Sequence, residues 1–162
     1  MSVRAGIGYD SHRFSAGKPL HLGGVVVPHT HGLAGHSDGD AALHAIVDAL
    51  LGAAALGDIG QHFADDDPRW KGVDSSVFCR HIVEVLAAAG FAPHNVDVTV
   101  VCERPKLAPH IPAMREATAK ALGLTPADVS FKAKTNEGMG SIGKGEGIAA
   151  IAMATVHSLP SP

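Results

Sequence analysis

Apolar and polar positions along this chain change period several times, and each change marks an element. Over residues 3–10 the period is two: Val3, Ala5, Ile7 and Tyr9 alternate with smaller or polar neighbours, which predicts a first strand. Leu20–Leu22 and Val25–Val27 flank Gly23-Gly24, a two-residue hairpin signal, and residues 28–35 read as loop. The period then turns helical. Leu43, Ile46, Val47, Leu50, Leu51 and Ala54 recur along one stripe with alanine between them. Asp38 and Asp40 stand where first-turn N–H groups lack partners, Gly57 reads as the stop, and a tight Asp58-Ile59-Gly60 turn follows. A second helix is predicted from Ser76 to Ala89, with Phe78, Ile82, Val85 and Leu86 as its stripe. Residues 96–102 form a β-rich run broken by Arg104-Pro105-Lys106; a third helix runs from Pro112 to Gly123, and a strand from Val129 to Lys134. Residues 138–147 hold five glycines and read as loop, residues 148–156 as a last strand, and residues 158–162 as a frayed tail. Without repeat or linker, this order predicts one domain over residues 1–157, an α/β sandwich with a mixed sheet.

Composition narrows the classes. At 162 residues, 46% apolar and 18% charged, the chain is long and apolar enough for a sizeable core, and no apolar run approaches the roughly 20 residues of a membrane span. No basic leader with an apolar region and no Arg/Ser-rich transit segment is evident, so the cytoplasm is the expected compartment. A net charge of −3 gives no general pull on nucleic acid or anionic membrane, so phosphate must be held by local groups. Cys79 and Cys102 are expected to pack as small hydrophobes in a helix and a strand rather than to form a bridge. Of eleven histidines, His21, His29, His62 and His157 read as surface residues.

The remaining polar residues supply candidate chemistry. Beside the apolar stripe of the long helix lies a second one, Asp40, His44 and Asp48, four residues apart and so on one face. Asp10-Ser11-His12 ends the first strand, where residues two apart point the same way. With His44 they make one carboxylate and two imidazoles, the set that holds a catalytic zinc with an open fourth position. An Asp-x-His pair by itself is more often a cap beside an exposed or hydrogen-bonded imidazole. Asp40 is a candidate for fixing the His44 tautomer, or is simply a helix-start carboxylate. His36-Ser37 offers an imidazole and a hydroxyl before the helix, an anion cradle or an N-cap. Asp58, Asp65 and Asp67 suit turns. Arg104 and Lys106 stand at a strand end, and Lys132-Ala133-Lys134-Thr135-Asn136-Glu137-Gly138 runs into the glycine loop. Glu137 suits an ion that takes few protein carboxylates plus substrate phosphates. No P-loop and no HExxH is present. A zinc hydrolase of a phosphorylated small molecule and a non-enzymatic nucleotide-binding scaffold remain open on these residues alone.

Taken together, DSH, HSDGDAALHAIVDALLGAAALGDIG, DVTVVCERPKLAPHIPAMR and KAKTNEGMGSIGKGEG resemble the 2-C-methyl-D-erythritol 2,4-cyclodiphosphate synthase family over nearly the whole chain. The resemblance implies a mixed sheet covered by helices on one face, in a homotrimer with sheets around a threefold axis and active sites at subunit interfaces. It implies conversion of 4-diphosphocytidyl-2-C-methyl-D-erythritol 2-phosphate to the cyclic diphosphate with release of CMP, in the non-mevalonate isoprenoid pathway. Asp10, His12 and His44 fall on its zinc ligands and Glu137 on the ligand of a second ion, Mg²⁺ or Mn²⁺. His36 and Thr135 fall on catalytic positions, with Ser37 on substrate phosphate. Asp58, Ile59, Gly60, Phe63, Asp65 and Asp67 match loops around the methylerythritol portion. Cys102, Pro105, Lys106, Leu107 and Ala108 match the cytidine diphosphate pocket, and Lys134, Asn136, Ser141 and Lys144 match the last loop. The chain departs from the family pattern at Lys134 (often Thr), Ser141 (aromatic in some relatives) and Lys144 (in place of Arg).

Overall fold

The computed structural model describes residues 1–160. A long first strand, β1 (Val3–Ala16), is followed by the hairpin β2 (Leu20–Leu22) and β3 (Val25–Val27), then β4 (His31–Leu33). The helix α1 (Ala41–Ala54) and one-turn helix α2 (Ile59–His62) precede α3 (Ser75–Ala88), β5 (Phe91–Val101), α4 (Ile111–Leu122), β6 (Val129–Lys134), the short α5 (Gly140–Gly143) and β7 (Gly147–Ser158). Five strands form one sheet in the order β4-β1-β7-β5-β6. Only β5 and β6 run parallel, joined through α4 as a parallel crossover requires; every other pairing is antiparallel. The mixed sheet with helices on one face is as expected.

Asp40 caps α1, accepting from the Leu43 N–H at 3.0 Å. Its other bonds, from the Gly23 and Gly24 N–H groups at 2.9 and 2.8 Å, tie the hairpin to the helix start. The hairpin turn needs positive φ at both central residues, and Gly23 and Gly24 supply it at 62° and 80°. The helix ends at Ala55, in the left-handed region at φ 60°, two residues before the expected Gly57. Asp58-Ile59-Gly60 is not a bare turn: Asp58 caps α2, accepting from the Gln61 N–H at 3.0 Å.

Packing of α1 on the sheet reverses what the alternation in β1 suggests. The positions facing the helix are Gly6 and Gly8, where an added Cβ would stand 2.2 Å from the Ala49 carbonyl oxygen and 2.0 Å from that of Ala45. On β7 the buried positions Ala150, Ala152 and Ala154 are equally small. The larger residues Ile7, Tyr9, Ile151 and Met153 lie on the opposite, open face, 68%, 61%, 42% and 53% exposed. The core proper comes from Leu43, Ile46, Leu50 and Leu51 of α1 with Ile82 and Leu86 of α3 and Met114 and Leu122 of α4.

Several boundaries moved outward, because ladder bonds extend a strand past its apolar run. Thus β1 continues to Ala16 and takes His12 into the ladder opposite Ile148. Ser158, expected in the tail, belongs to β7 and donates its N–H to the Ser2 carbonyl at 2.9 Å; residues 161 and 162 of that tail lie outside the described residues. The glycine-rich loop contains α5. Cys79 and Cys102 are free and buried, Cys102 standing one residue past β5. Of the four histidines expected at the surface, only His29 is exposed; the other three are half-buried. No helix among the described residues is long and apolar enough to cross a membrane.

Candidate metal centre and surrounding cavities

Asp10 and His12 are two apart on a continuous strand, so both side chains leave β1 on the side that α1 crosses, and α1 presents His44 to them. The three atoms that meet are Asp10 Oδ2, His12 Nε2 and His44 Nδ1. Asp10 Oδ2 lies 2.8 Å from His12 Nε2 and 3.2 Å from His44 Nδ1, and the two nitrogens are 3.2 Å apart. Tetrahedral ligands about 2.0–2.1 Å from a zinc ion stand about 3.3 Å from one another, close to this triangle. Asp10 Oδ2 is buried, yet no hydrogen-bond donor is aimed at it. A buried, orphaned carboxylate oxygen facing two imidazole nitrogens fits a divalent cation. It is the one such cluster of three among the described residues.

Local bonds orient the set. His12 Nδ1 lies 2.5 Å from the Ala34 carbonyl oxygen. A carbonyl only accepts, so Nδ1 carries the hydrogen and the Nε2 lone pair faces the triad. Burial alone would raise the Asp10 carboxyl pKa, but the His12 and His44 rings outweigh it and hold it below the ordinary value. Burial likewise opposes the charged His12 ring, and Asp10 more than reverses this, so His12 sits above the ordinary histidine value.

The stripe Asp40, His44, Asp48 divides its labour in a way spacing does not show. Asp40 meets His44 only through the backbone, its carbonyl accepting from the His44 N–H at 3.0 Å, and no hydrogen bond joins its side chain to the His44 ring. As an N-cap its side chain turns back onto the helix start and the hairpin, and burial with the nearby Asp38 charge pushes its carboxyl pKa up. Asp48 accepts from the Ile59 N–H at 2.7 Å and pins the segment after α1. His44 Nε2 instead meets Ser75 Oγ at 2.9 Å and Ser37 Oγ at 3.1 Å. Ser75 escaped the sequence reading because it opens α3, just before the predicted start, and carries no periodic or motif signal.

A cavity of about 280 Å³ opens beside the triad, lined by Asp10, His12, His36, Ser37, His44, Ile59, Gly60, Phe63 and Asp65, all sequence candidates. Trp70 and Phe78, not among them, complete its apolar wall; Phe63 meets Trp70 edge to face at 4.9 Å and lies 4.3 Å from Phe78. Asp58 and Asp67 lie outside it as helix caps, and Asp67 also pairs with Arg69 at 2.6 Å.

A second cavity, of about 200 Å³, is lined by Cys102, Pro105, Lys106, Leu107, Ala108, Lys134 and Thr135, with Glu103 and Ala133. It sits at the carboxyl ends of the parallel pair β5 and β6, a usual place for ligands in such sheets. Glu103 steadies the adjoining loop, accepting from the Asn136 N–H at 2.8 Å and the Gly138 N–H at 3.3 Å. Between those two residues Glu137 is exposed and left-handed at φ 53°. Burial pushes the Cys102 thiol up to about 11, so it is no thiolate nucleophile at neutral pH. Ser141 faces a separate hollow with Ser11, Arg13 and Glu146, and Lys144 is exposed after α5. No residue lines both principal cavities, so one chain keeps His36 and the triad apart from Thr135 and Lys106.

The YgbB family model matches residues 3–157. A 2-C-methyl-D-erythritol 2,4-cyclodiphosphate synthase of Salinibacter ruber is 57% identical over 156 residues, 96% of this chain and 99% of its own. The bifunctional enzyme IspD/IspF of Novosphingobium aromaticivorans is 55% identical over 160 residues, 98% of this chain but 42% of the larger protein. Among solved structures, a 2C-methyl-D-erythritol-2,4-cyclodiphosphate synthase in a CDP-bound form superposes with a TM-score of 0.87 at 39% identity, over 95% of this chain and 100% of that one. The bifunctional IspDF from Campylobacter jejuni gives a TM-score of 0.93 at 36% identity, over 98% of this chain and 43% of that one. With a family model over almost its full length and relatives at this identity, the chain belongs to the YgbB family, that of the 2-C-methyl-D-erythritol 2,4-cyclodiphosphate synthases.

Proposed function

We propose that this protein converts 4-diphosphocytidyl-2-C-methyl-D-erythritol 2-phosphate to 2-C-methyl-D-erythritol 2,4-cyclodiphosphate, releasing CMP, in isoprenoid biosynthesis by the non-mevalonate route. The observation that carries this reading is the Asp10–His12–His44 triangle at the wall of a cavity, in a chain whose relatives bear that synthase name. A CDP-bound relative of the same fold supports a cytidine diphosphate substrate.

In the proposed reaction an oxygen of the substrate's own 2-phosphate forms a bond to the β-phosphorus, and the bond from that phosphorus to the bridging oxygen breaks, CMP leaving with the electron pair. Both partners are anionic, so the protein's task is positioning and charge neutralisation. Zinc on Asp10, His12 and His44 would supply Lewis-acid polarisation of phosphate oxygen, and a second ion, Mg²⁺ or Mn²⁺, on Glu137 would offset charge on the departing CMP. His36 and Ser37 stand at the triad cavity to hold phosphate oxygens, while Ile59, Phe63, Trp70 and Phe78 give the methylerythritol portion an apolar wall. Lys106, Lys134 and Thr135 gather in the second cavity, suited to the nucleotide diphosphate. No side-chain nucleophile is needed.

The separation of the two cavities and the open apolar sheet face support a homotrimer in which each site joins the triad cavity of one subunit to the nucleotide cavity of the next. The test is product identity. Purified protein with zinc and Mg²⁺ should release CMP, one per substrate consumed, with no inorganic phosphate. Release of inorganic phosphate without CMP would mark a hydrolase and overturn the reading.

A further inference from the structure

The two histidines of the triad present opposite ring nitrogens, His12 its Nε2 and His44 its Nδ1. The Ala34 carbonyl fixes His12 directly. For His44 the partners of Nε2 are hydroxyls, Ser75 Oγ at 2.9 Å and Ser37 Oγ at 3.1 Å, which can donate or accept. Those contacts alone leave the tautomer open.

Asp38 removes the ambiguity. The Ser75 hydroxyl bonds to Asp38 Oδ1, and the Ser75 N–H donates to Asp38 Oδ2 at 2.8 Å. Asp38 Oδ1 also accepts from the Asp40 N–H at 3.0 Å, which fixes the carboxylate against the start of α1. A carboxylate only accepts, so the single Ser75 hydroxyl hydrogen points at Asp38 and Ser75 Oγ offers His44 a lone pair. The hydrogen between Ser75 and His44 must then sit on His44 Nε2, leaving the Nδ1 lone pair aimed at Asp10 and His12. Ser75 is 0% exposed, so no solvent stands in for it.

We propose that Asp38 and Ser75 are positioning residues that lock the His44 tautomer and thereby set the metal affinity of the triad. Asp38 precedes α1 and Ser75 opens α3, so the lock joins the metal position to a helix that supplies no ligand. The proposal rests on the metal reading of the triad.

Two measurements test it, and the first needs no lock variant. In metal-free protein labelled with ¹⁵N-histidine at pH 8, long-range proton–nitrogen correlation should show His44 protonated at Nε2 and bare at Nδ1, its signals assigned by their loss in His44→Ala. The Nδ1–H form would overturn the lock. The second is zinc affinity, by competition with a chromophoric chelator. Wild-type protein should bind one zinc; no binding would overturn the metal reading itself. Ser75→Ala should weaken zinc by about 10–100-fold, and Ser75→Thr, which keeps the hydroxyl, should recover most of that. Asp38→Asn should weaken it by about 10-fold and mix the His44 tautomers, because an amide nitrogen can donate to Ser75 and free its hydrogen. Wild-type affinity in Ser75→Ala and Asp38→Asn would overturn the lock and leave the metal reading standing.

Discussion

His44 is reached from three elements at once: Asp10 and His12 of β1, Ser37 of the loop before α1, and Ser75 of α3. Replacing it by Ala removes one donor of the triangle but little core, since the ring lines a cavity. His44→Ala is expected to lose bound zinc and fall to background turnover while its unfolding free energy changes by only about 1 kcal/mol; zinc analysis beside a urea melt checks both. Proton linkage gives a second expectation. His12 holds its proton more tightly in the metal-free fold than in the unfolded chain. Its stabilising contribution is therefore complete below its ordinary value of 6.5 and lost as the pH rises through the raised one. Asp10, shifted down, contributes above its ordinary value of 3.8 and loses that as the pH falls through its lowered one. Zinc requires His12 Nε2 unprotonated, so zinc affinity should climb with pH and level off above the raised His12 value. Affinity measured at pH 6 and pH 8 tests this, and equal values would contradict it. At this scale the sequence is legible where backbone geometry dictates direction, as for Asp10 and His12 on one strand. It misleads where a side chain has a stronger claim on it: Asp40, one turn from His44, spends its oxygens on three N–H groups instead.

Elements with clear punctuation were readable in the same way. Gly23-Gly24 announced the hairpin, Val129–Lys134 was bounded as expected, and the helices over residues 75–88 and 111–122 were displaced by a residue at most. The first strand was harder. Its pattern marks a strand but not which face meets the helices, and here the small face does, so Ile7 and Tyr9 point away from the core. Direct contact of strand and helix backbones explains the choice of glycine. Gly8→Ala would place a methyl group 2.0 Å from the Ala45 carbonyl oxygen and push α1 off the sheet. A loss of about 3 kcal/mol in urea unfolding is expected, with weakened zinc binding, because β1 and α1 each hold part of the triad. Unchanged stability in that variant would mean that the helix shifts without cost.

On the scale of the whole molecule, the open face formed by Ile7, Tyr9, Ile151 and Met153 is the surface the proposed trimer would cover. Burying charge there is costly, so Ile7→Glu combined with Met153→Glu should sediment as a folded monomer that binds zinc but does not turn over. Full activity from such a monomer would refute the shared site. The resemblance conveyed this assembly, whereas the residues alone conveyed only an apolar alternation, since an outward face looks like a core face until the helices are placed. The two separate cavities carry a further consequence. His44→Ala and Lys106→Ala subunits, each inactive alone, would complement each other when unfolded together and reassembled in equal amounts. About a quarter of the junctions would then unite an intact half from each parent, giving activity from two dead proteins that no site confined to one subunit could give.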